Sequence, residues 1–545
     1  MTRYLRSIGA VLVALVLPVV MGACGSSSSG PTVTVVQGTA PDYLDPSQGY
    51  TTQAANSSWV SYLGLYTYAH ASATAGGQVI PAIATAPPKV TGGGKTYTIT
   101  IRKGLKYSNG EAVKASDFLF TIERAIKLNW GGAAYFTGNI AGATDYSKGK
   151  SNTITGISAN DATGQIVIHL TAPYGAFENV LAFPSAGLLP STTPMTPQDT
   201  SPPSGFGPYE IKNVVPNQGY DVSLNPSYAS QAIPGVPAGH VNIHVKIETN
   251  TTTEAEDVLN NSADVFDWGD TVPPSLLPQV QSQAASRYAS EPTALVLYFF
   301  MNIKEKPFDN ILARKAVIMA LDRNALSRLD SGNITPGCYF LPPTLVGHPS
   351  TPCPYGDPSK SPNIAAAKKL VAEAGLTGYP VTVWGEERQP RKEYIDNYAA
   401  TLNEIGFKAT TKIIASTQYF PTIGTLKSHP QTGFADWQQD FPNPFDFYLL
   451  VDGSGISQVN NENFGEINDP FINSEIKALT PVLSSQLSSV ASRWEKLDEY
   501  VAKKAYLGVF GYEKVPKFTS TRINFSQAIF HPVYGLDYTS LTLTK

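Results

Sequence analysis

The sequence predicts an α/β protein with more than one lobe, and three observations carry that prediction. Its 545 residues exceed what a single hydrophobic core ordinarily organises. Helical and strand periodicities alternate between residues 311 and 414. A stretch dense in Pro, Ser, Thr and Gly, residues 184–208, breaks the patterned segments and marks a connection between lobes.

Along the chain, Val33–Val36 is a short strand candidate and residues 52–65 a helix leading to Tyr66. In Thr96–Arg102 the alternation of Tyr97, Ile99 and Ile101 predicts a half-buried strand, which the turn at Asn109-Gly110 reverses into a hairpin. Ser116 caps an amphipathic helix carrying Phe118, Ile122 and Ile126, and Gln165–Leu170 returns to strand periodicity. Beyond the 184–208 crossing, Asn242–Glu248 reads as a strand and 254–260 as a short helix. The apolar run Leu295–Met301 reads as a buried strand, with a second crossing near residue 295. Helix 311–321 follows, then helix 362–374 with Ser361 as cap, Pro362 at its first position and Gly375 as its stop. Strand 380–384, helix 391–404, strand 408–414 and helices 470–479 and 487–506 complete an α/β lobe. From Val509 the tail shows only short strand and loop signals.

Composition narrows the function. With 42% hydrophobic and 15% charged residues the chain reads as globular, and its net charge of −4 gives no electrostatic reason for a nucleic-acid partner. Arg3 and Arg6 precede an apolar run, Ile8–Val20, that is shorter than the ~20 residues a spanning helix needs. It ends at Met21-Gly22-Ala23-Cys24, followed by Gly25 and four serines, the pattern of an export signal. These residues resemble the lipobox of bacterial lipoproteins, with Met21 where leucine is preferred. The resemblance implies that 1–23 is removed as a signal peptide, that Cys24 is acylated, and that 24–31 serve as a tether. Cys338 and Cys353 lie in a Pro/Gly-rich stretch of an exported chain and are expected to be bridged, worth about 3 kcal/mol in the chain-entropy account.

Several phrases in order then resemble one family. They are Leu44-Asp45-Pro46, the run Thr96–Gly110 continued by Ala115-Ser116-Asp117-Phe118, Gly207-Pro208-Tyr209, Asn225-Pro226-Ser227-Tyr228, and Lys306-Pro307-Phe308-Asp309 through Asp322-Arg323. Together they are similar to family 5 of the extracellular solute-binding proteins, whose members include oligopeptide-, dipeptide- and nickel-binding lipoproteins. The resemblance implies the type II periplasmic-binding-protein fold, two lobes joined by hinge strands plus an extra domain. It places 32–75, 188–295 and 510–545 in lobe I, 76–187 in the extra domain and 296–509 in lobe III. It also implies a monomeric, extracytoplasmic, lipid-anchored receptor without cofactor or metal, delivering solute to the permease subunits of an ABC importer.

Within the family phrase Trp437-Gln438-Gln439-Asp440-Phe441-Pro442, the resemblance assigns Asp440 to a peptide's α-ammonium group. A carboxylate in a cleft that loses water on closure gains from a cationic partner. The other reading of Asp440 is a carboxylate that orders the adjacent Pro442-Asn443-Pro444 turn. Trp437 offers an apolar wall or a stacking face, or else belongs to the core. Arg388 and Arg391 end a strand where dipeptide binders place an arginine for the ligand carboxylate, although the spacing to the next helix is shorter here and solvated arginines give the same pattern. Tyr43, beside Asp45-Pro46, is a further candidate for ligand contact.

Two other classes remain for comparison. A secreted hydrolase lacks its signature here, since the sequence has no Gly-x-Ser-x-Gly, no His-Glu-x-x-His and no phosphate-binding Gly-rich loop. His240 and His244 fall in a predicted strand, about 13 Å apart, too far to share one zinc ion. A nickel-complex or oligosaccharide binder, or a sensor of the same fold, stays open. Few histidines weigh against metal capture, and 10% aromatic content is compatible with sugar stacking.

Overall fold

The computed structural model describes residues 30–545, apart from 389 and 460 and the side chains of 416 and 417. The signal peptide, Cys24 and all of the tether but Gly30 and Pro31 lie outside the described residues. Two sheets of the first lobe and extra domain share a single continuous core. In one, the strands run Thr32–Gln37, Asn242–Ile247, Gly219–Leu224, Tyr209–Val215, with only the first pair parallel. In the other, the order is Lys89–Thr91, Thr96–Thr100, Gln165–His169, Ile157–Asn160, all antiparallel. The inward sets of both sheets, Val33 and Val245 from one and Tyr97, Ile99 and Ile168 from the other, belong to one buried cluster with Trp59 and Phe118. The extra domain therefore does not close a core of its own.

Two expectations change here. The strand Thr96–Thr100 is reversed at its start, where Gly92, Gly93 and Gly94 all take positive φ and lead back to Lys89–Thr91. Asn109-Gly110 does turn the chain, but it closes only the isolated bridge Lys106–Ala112. The strand ends first because Gly104 at φ +78° breaks the extended run. Likewise Ser116 does not cap its helix. Ser116–Lys127 begins with the Ser116 amide and hydroxyl both donating to Asp161, at 2.8 and 2.9 Å.

The second lobe is built on six strands in the order Ile334–Pro336, Leu507–Phe518, Tyr288–Met301, Thr432–Gln438, Pro380–Glu386, Lys408–Ile414. Helices cover both faces, which explains the unbroken apolar run at 295–301. Leu297, Phe299 and Met301 enter one core with Phe434 and Phe510, while Val296, Tyr298 and Phe300 enter the other with Trp384 and Trp494. Ile311–Ala320 and Arg391–Glu404 form as the sequence predicts. Ile364–Glu373 starts later than predicted, because the Asn363 side chain accepts from the Ala366 amide at 3.1 Å and supplies the cap assigned to Ser361. Cys338 and Cys353 are joined, with Cα atoms 6.0 Å apart.

The lobes are connected by the antiparallel pair Tyr288–Met301 and Leu507–Phe518. At one end Phe518 packs with Val36 and Phe266 of the first lobe, and at the other Phe300 opposes Leu507 inside the second. The register shifts between Pro292 and Val296, and Pro292 and Pro516 cannot donate to the ladder, so the crossing is locally loosened where the lobes meet. The 184–208 stretch joins the extra domain's last strand to the first lobe's Tyr209–Val215, and does not form a second crossing of this kind. Proline and glycine density reports irregular backbone and is silent about what lies at its two ends. The tail predicted to be short strands and loops instead supplies the twelve-residue second crossing strand, its pattern masked by Gly508, Gly511 and Pro516.

Candidate functional site

Asp440 sits just past the C-terminal end of the central strand Thr432–Gln438, beside the loosened crossing. Leu295 and Val296 oppose Gln438 and Trp437, and the Gln439 amide donates to Ala294 O at 3.1 Å. The next turn is organised without the Asp440 side chain. Asn443 caps the helix Pro444–Tyr448 by accepting from the Phe445 amide at 2.9 Å. Asp446 Oδ2 accepts from the Asp440 amide at 2.9 Å and from Trp437 Nε1 at 3.1 Å. The Asp440 carboxylate points instead toward the other lobe, taking the phenol of Tyr50 at 3.2 Å and that of Tyr135. First lobe, extra domain and second lobe thus meet on one carboxylate.

A cavity of about 830 Å³ opens at this meeting point, lined by Tyr50, Tyr135, Asp436, Trp437, Asp440 and Glu462 among others. A smaller one of about 170 Å³ adjoins it and shares Tyr50, Gln438 and Asp440. The larger volume lies in the range of small-ligand clefts, about 300–1,000 Å³. Gly131 allows the wall to close, since a Cβ there would stand 2.9 Å from the Tyr50 ring. Tyr50 also packs edge-on against Trp130, with ring centres 5.8 Å apart.

Charge in the cleft is unbalanced. Burial raises the Asp440 carboxyl above its ordinary value, the two phenol hydrogen bonds pulling the other way. Burial and the adjacent Asp440 push Asp446 well up, and burial together with Asp440 raises Glu462. Among the described residues, no cationic side chain forms an ion pair with any of the three.

The remaining candidates separate clearly. Trp437 lines the larger cavity, its indole N–H committed to Asp446. Arg391 is occupied: its guanidinium pairs with Glu386 and Asp436 and lies 4.9 Å from the Phe434 ring centre. Its guanidinium is thus already engaged by two carboxylates of the protein. Arg388 is exposed and acts through space on Asp270, Asp436 and Glu513, which leaves it available near the cavity's acidic wall. Tyr43 is 43% exposed and is not among the described residues lining either cavity. Asp45 explains why the neighbouring Tyr50 is the one presented. Asp45 O accepts from the Gln48 and Gly49 amides, each at 2.9 Å, and Gly49 O accepts from Trp130 Nε1 at 3.0 Å.

Sequence reasoning missed Tyr50, Tyr135, Asp446 and Glu462. For Asp446 a signal existed, an acid three residues after the capping Asn443, whereas no local pattern distinguishes Tyr135 from the other tyrosines.

Comparison with known proteins places this geometry. The pattern of the family described as "Bacterial extracellular solute-binding proteins, family 5 Middle" matches residues 78–458. The chain belongs to that family. Among relatives of the family-5 chain, the glutathione-binding protein GsiB of Salmonella paratyphi A is 26% identical over 333 residues, 59% of this chain and 58% of that protein. The chain thus spans less than two thirds of that relative's length. The solved structure titled "Clavulanic acid biosynthesis oligopeptide binding protein 2" superposes with a TM-score of 0.85 at 22% identity, covering 95% of this chain and 97% of that one. A murein tripeptide binding protein, MppA, in an unliganded open form, superposes with a TM-score of 0.77 at 17% identity, covering 95% and 98%. These likenesses establish the family-5 periplasmic-binding fold, mixed α/β with several sheets.

Proposed function

We propose that this protein captures short peptides between its two lobes and delivers them to the permease subunits of an ABC importer. The observation that carries the reading is Asp440, a half-buried carboxylate in an 830 Å³ cavity, held by one phenol from the first lobe and one from the extra domain where a ligand ammonium would bind. Three named relatives bind glutathione, a murein tripeptide or oligopeptides, all of them peptide in chemistry. Arg388, exposed and acting through space on the cavity's Asp436, is the cation assigned to the ligand's α-carboxylate, and Trp437 supplies the apolar wall. Rotation about Tyr288–Met301 and Leu507–Phe518 would close the lobes and exclude water, strengthening the Asp440 pair. The acylated Cys24 would hold a monomeric receptor on the outer face of the membrane, and among the described residues no helix is long and apolar enough to cross one. The family is one of binding proteins, and the role proposed needs no catalytic group.

Native mass spectrometry of the mature chain, purified without denaturation, tests the substrate class. Peptide masses that disappear on mild unfolding are expected. A co-purified sugar or metal chelate would replace the peptide reading.

Affinity should depend on pH in a set direction. Burial raises Asp440 in the empty protein and an ammonium partner lowers it, so binding releases a proton near the raised value. As pH falls through the raised Asp440 value the dissociation constant is expected to rise, approaching tenfold per unit once Asp440 is mostly protonated. Above about pH 8 affinity falls again as the α-amino group loses its charge. Calorimetry in two buffers of different ionisation enthalpy reads both the trend and the released proton.

A further inference from the structure

Three carboxylates, Asp436, Asp440 and Glu462, line the larger cavity, and among its described lining residues there is no lysine, arginine or histidine. Among the described residues, the guanidinium bonded to this wall is that of Arg391, shared between Asp436 and Glu386, and so it neutralises one charge of two. Arg388 acts on Asp436 from an exposed position and matches a ligand carboxylate. If Asp440 takes the α-ammonium, Glu462 is left over. Its side chain is exposed and lines the cavity, with no cation or hydrogen-bond donor bound to it among the described residues. A second observation points the same way. Asn461, also lining the cavity and 2% exposed, uses its Nδ2 on Asn463 O at 2.8 Å, which leaves Oδ1 without a donor. The wall thus carries an unpaired carboxylate open to the cavity beside a buried amide oxygen that has no donor, and the carboxylate asks for positive charge.

We propose that the cleft selects peptides carrying a positive charge beyond the α-ammonium, with Glu462 pairing a lysine or arginine side chain near the peptide's N-terminus. The proposal rests on the peptide reading above and sharpens it. It also separates this chain from its glutathione-binding relatives, because glutathione brings two carboxylates against one ammonium and would face this wall with the wrong sign.

The test is titration of the mature chain with three tripeptides, Lys-Ala-Ala, Ala-Ala-Ala and Glu-Ala-Ala, and with glutathione, repeated for Glu462→Gln. The order expected is lysine peptide tightest, by about tenfold over the neutral one, then the glutamate peptide and glutathione weakest. Glu462→Gln should erase the lysine advantage over Ala-Ala-Ala. Equal affinity for all three peptides, or a uniform loss in Glu462→Gln, would overturn charge selection while leaving peptide capture standing. Failure of every peptide to bind would remove both.

Discussion

Asp440→Ala is expected to weaken peptide binding at least a hundredfold while leaving the folded protein intact. The side chain makes no hydrogen bond to the turn that follows it. Its amide is held by Asp446 and its neighbour Gln439 by Ala294, both through backbone groups that the substitution keeps. What is lost is the anion, and with it two phenol hydrogen bonds that tie Tyr50 and Tyr135 to the second lobe. An ammonium desolvated by closure without its counter-charge costs several kcal/mol, so the loss should appear mainly as faster dissociation. Asp440→Asn keeps the phenol contacts and should still lose most of the affinity. Stopped-flow and equilibrium titration against one peptide distinguish the two, and near-wild-type binding by Asp440→Asn would mean the carboxylate charge is not the recognition element.

The second large effect concerns stability. Asp45 and Arg124 form a doubly hydrogen-bonded ion pair, both bonds 2.6 Å, with neither side chain exposed. Asp45 also accepts from the Ser47 amide at 3.0 Å and the Gln198 amide at 2.8 Å. Arg124 donates to Pro194 O and Thr196 O at 2.8 and 2.9 Å. The pair therefore ties the loop before helix Thr52–Ser61 to helix Ser116–Lys127 and to the 184–208 connection. Asp45→Ala strands a buried guanidinium and two amides, and about 3–5 kcal/mol of destabilisation is expected. Denaturant titration should show the midpoint falling. Asp45→Ala combined with Arg124→Leu should be less destabilised than the two single changes added together. Because the same loop presents Tyr50, surviving Asp45→Ala protein should also bind ligand more weakly.

Much of this was legible in the sequence, for reasons that particular residues make clear. The alternating lobe was readable because Ile364–Glu373 and Arg391–Glu404 alternate with Pro380–Glu386 and Lys408–Ile414, each with its own stop signal. The central strand Thr432–Gln438 was not, since Asp436 interrupts its apolar pattern. That acid is paired with Arg391, which arrives from another element. Leu44-Asp45-Pro46 was recognised as a phrase, but its role as a buried anchor depends on Arg124, seventy-nine residues away. Asp440 could be singled out from its neighbours. The phenols that hold it come from positions 50 and 135, where nothing local marks a tyrosine as facing a cleft. The same holds for Arg391: a sequence shows a cation but not the acids paired with it.

The central claim is that Asp440 reads a free α-ammonium group, and paired titration of one peptide with its N-acetylated form tests it most directly. With the mature chain and a lysine-containing tripeptide, acetylation of the α-amino group alone is expected to reduce affinity by a hundredfold or more. The same modification should make little further difference in Asp440→Asn. Equal affinity for the free and acetylated peptides in the unaltered protein would contradict the account, and would move recognition away from Asp440 altogether.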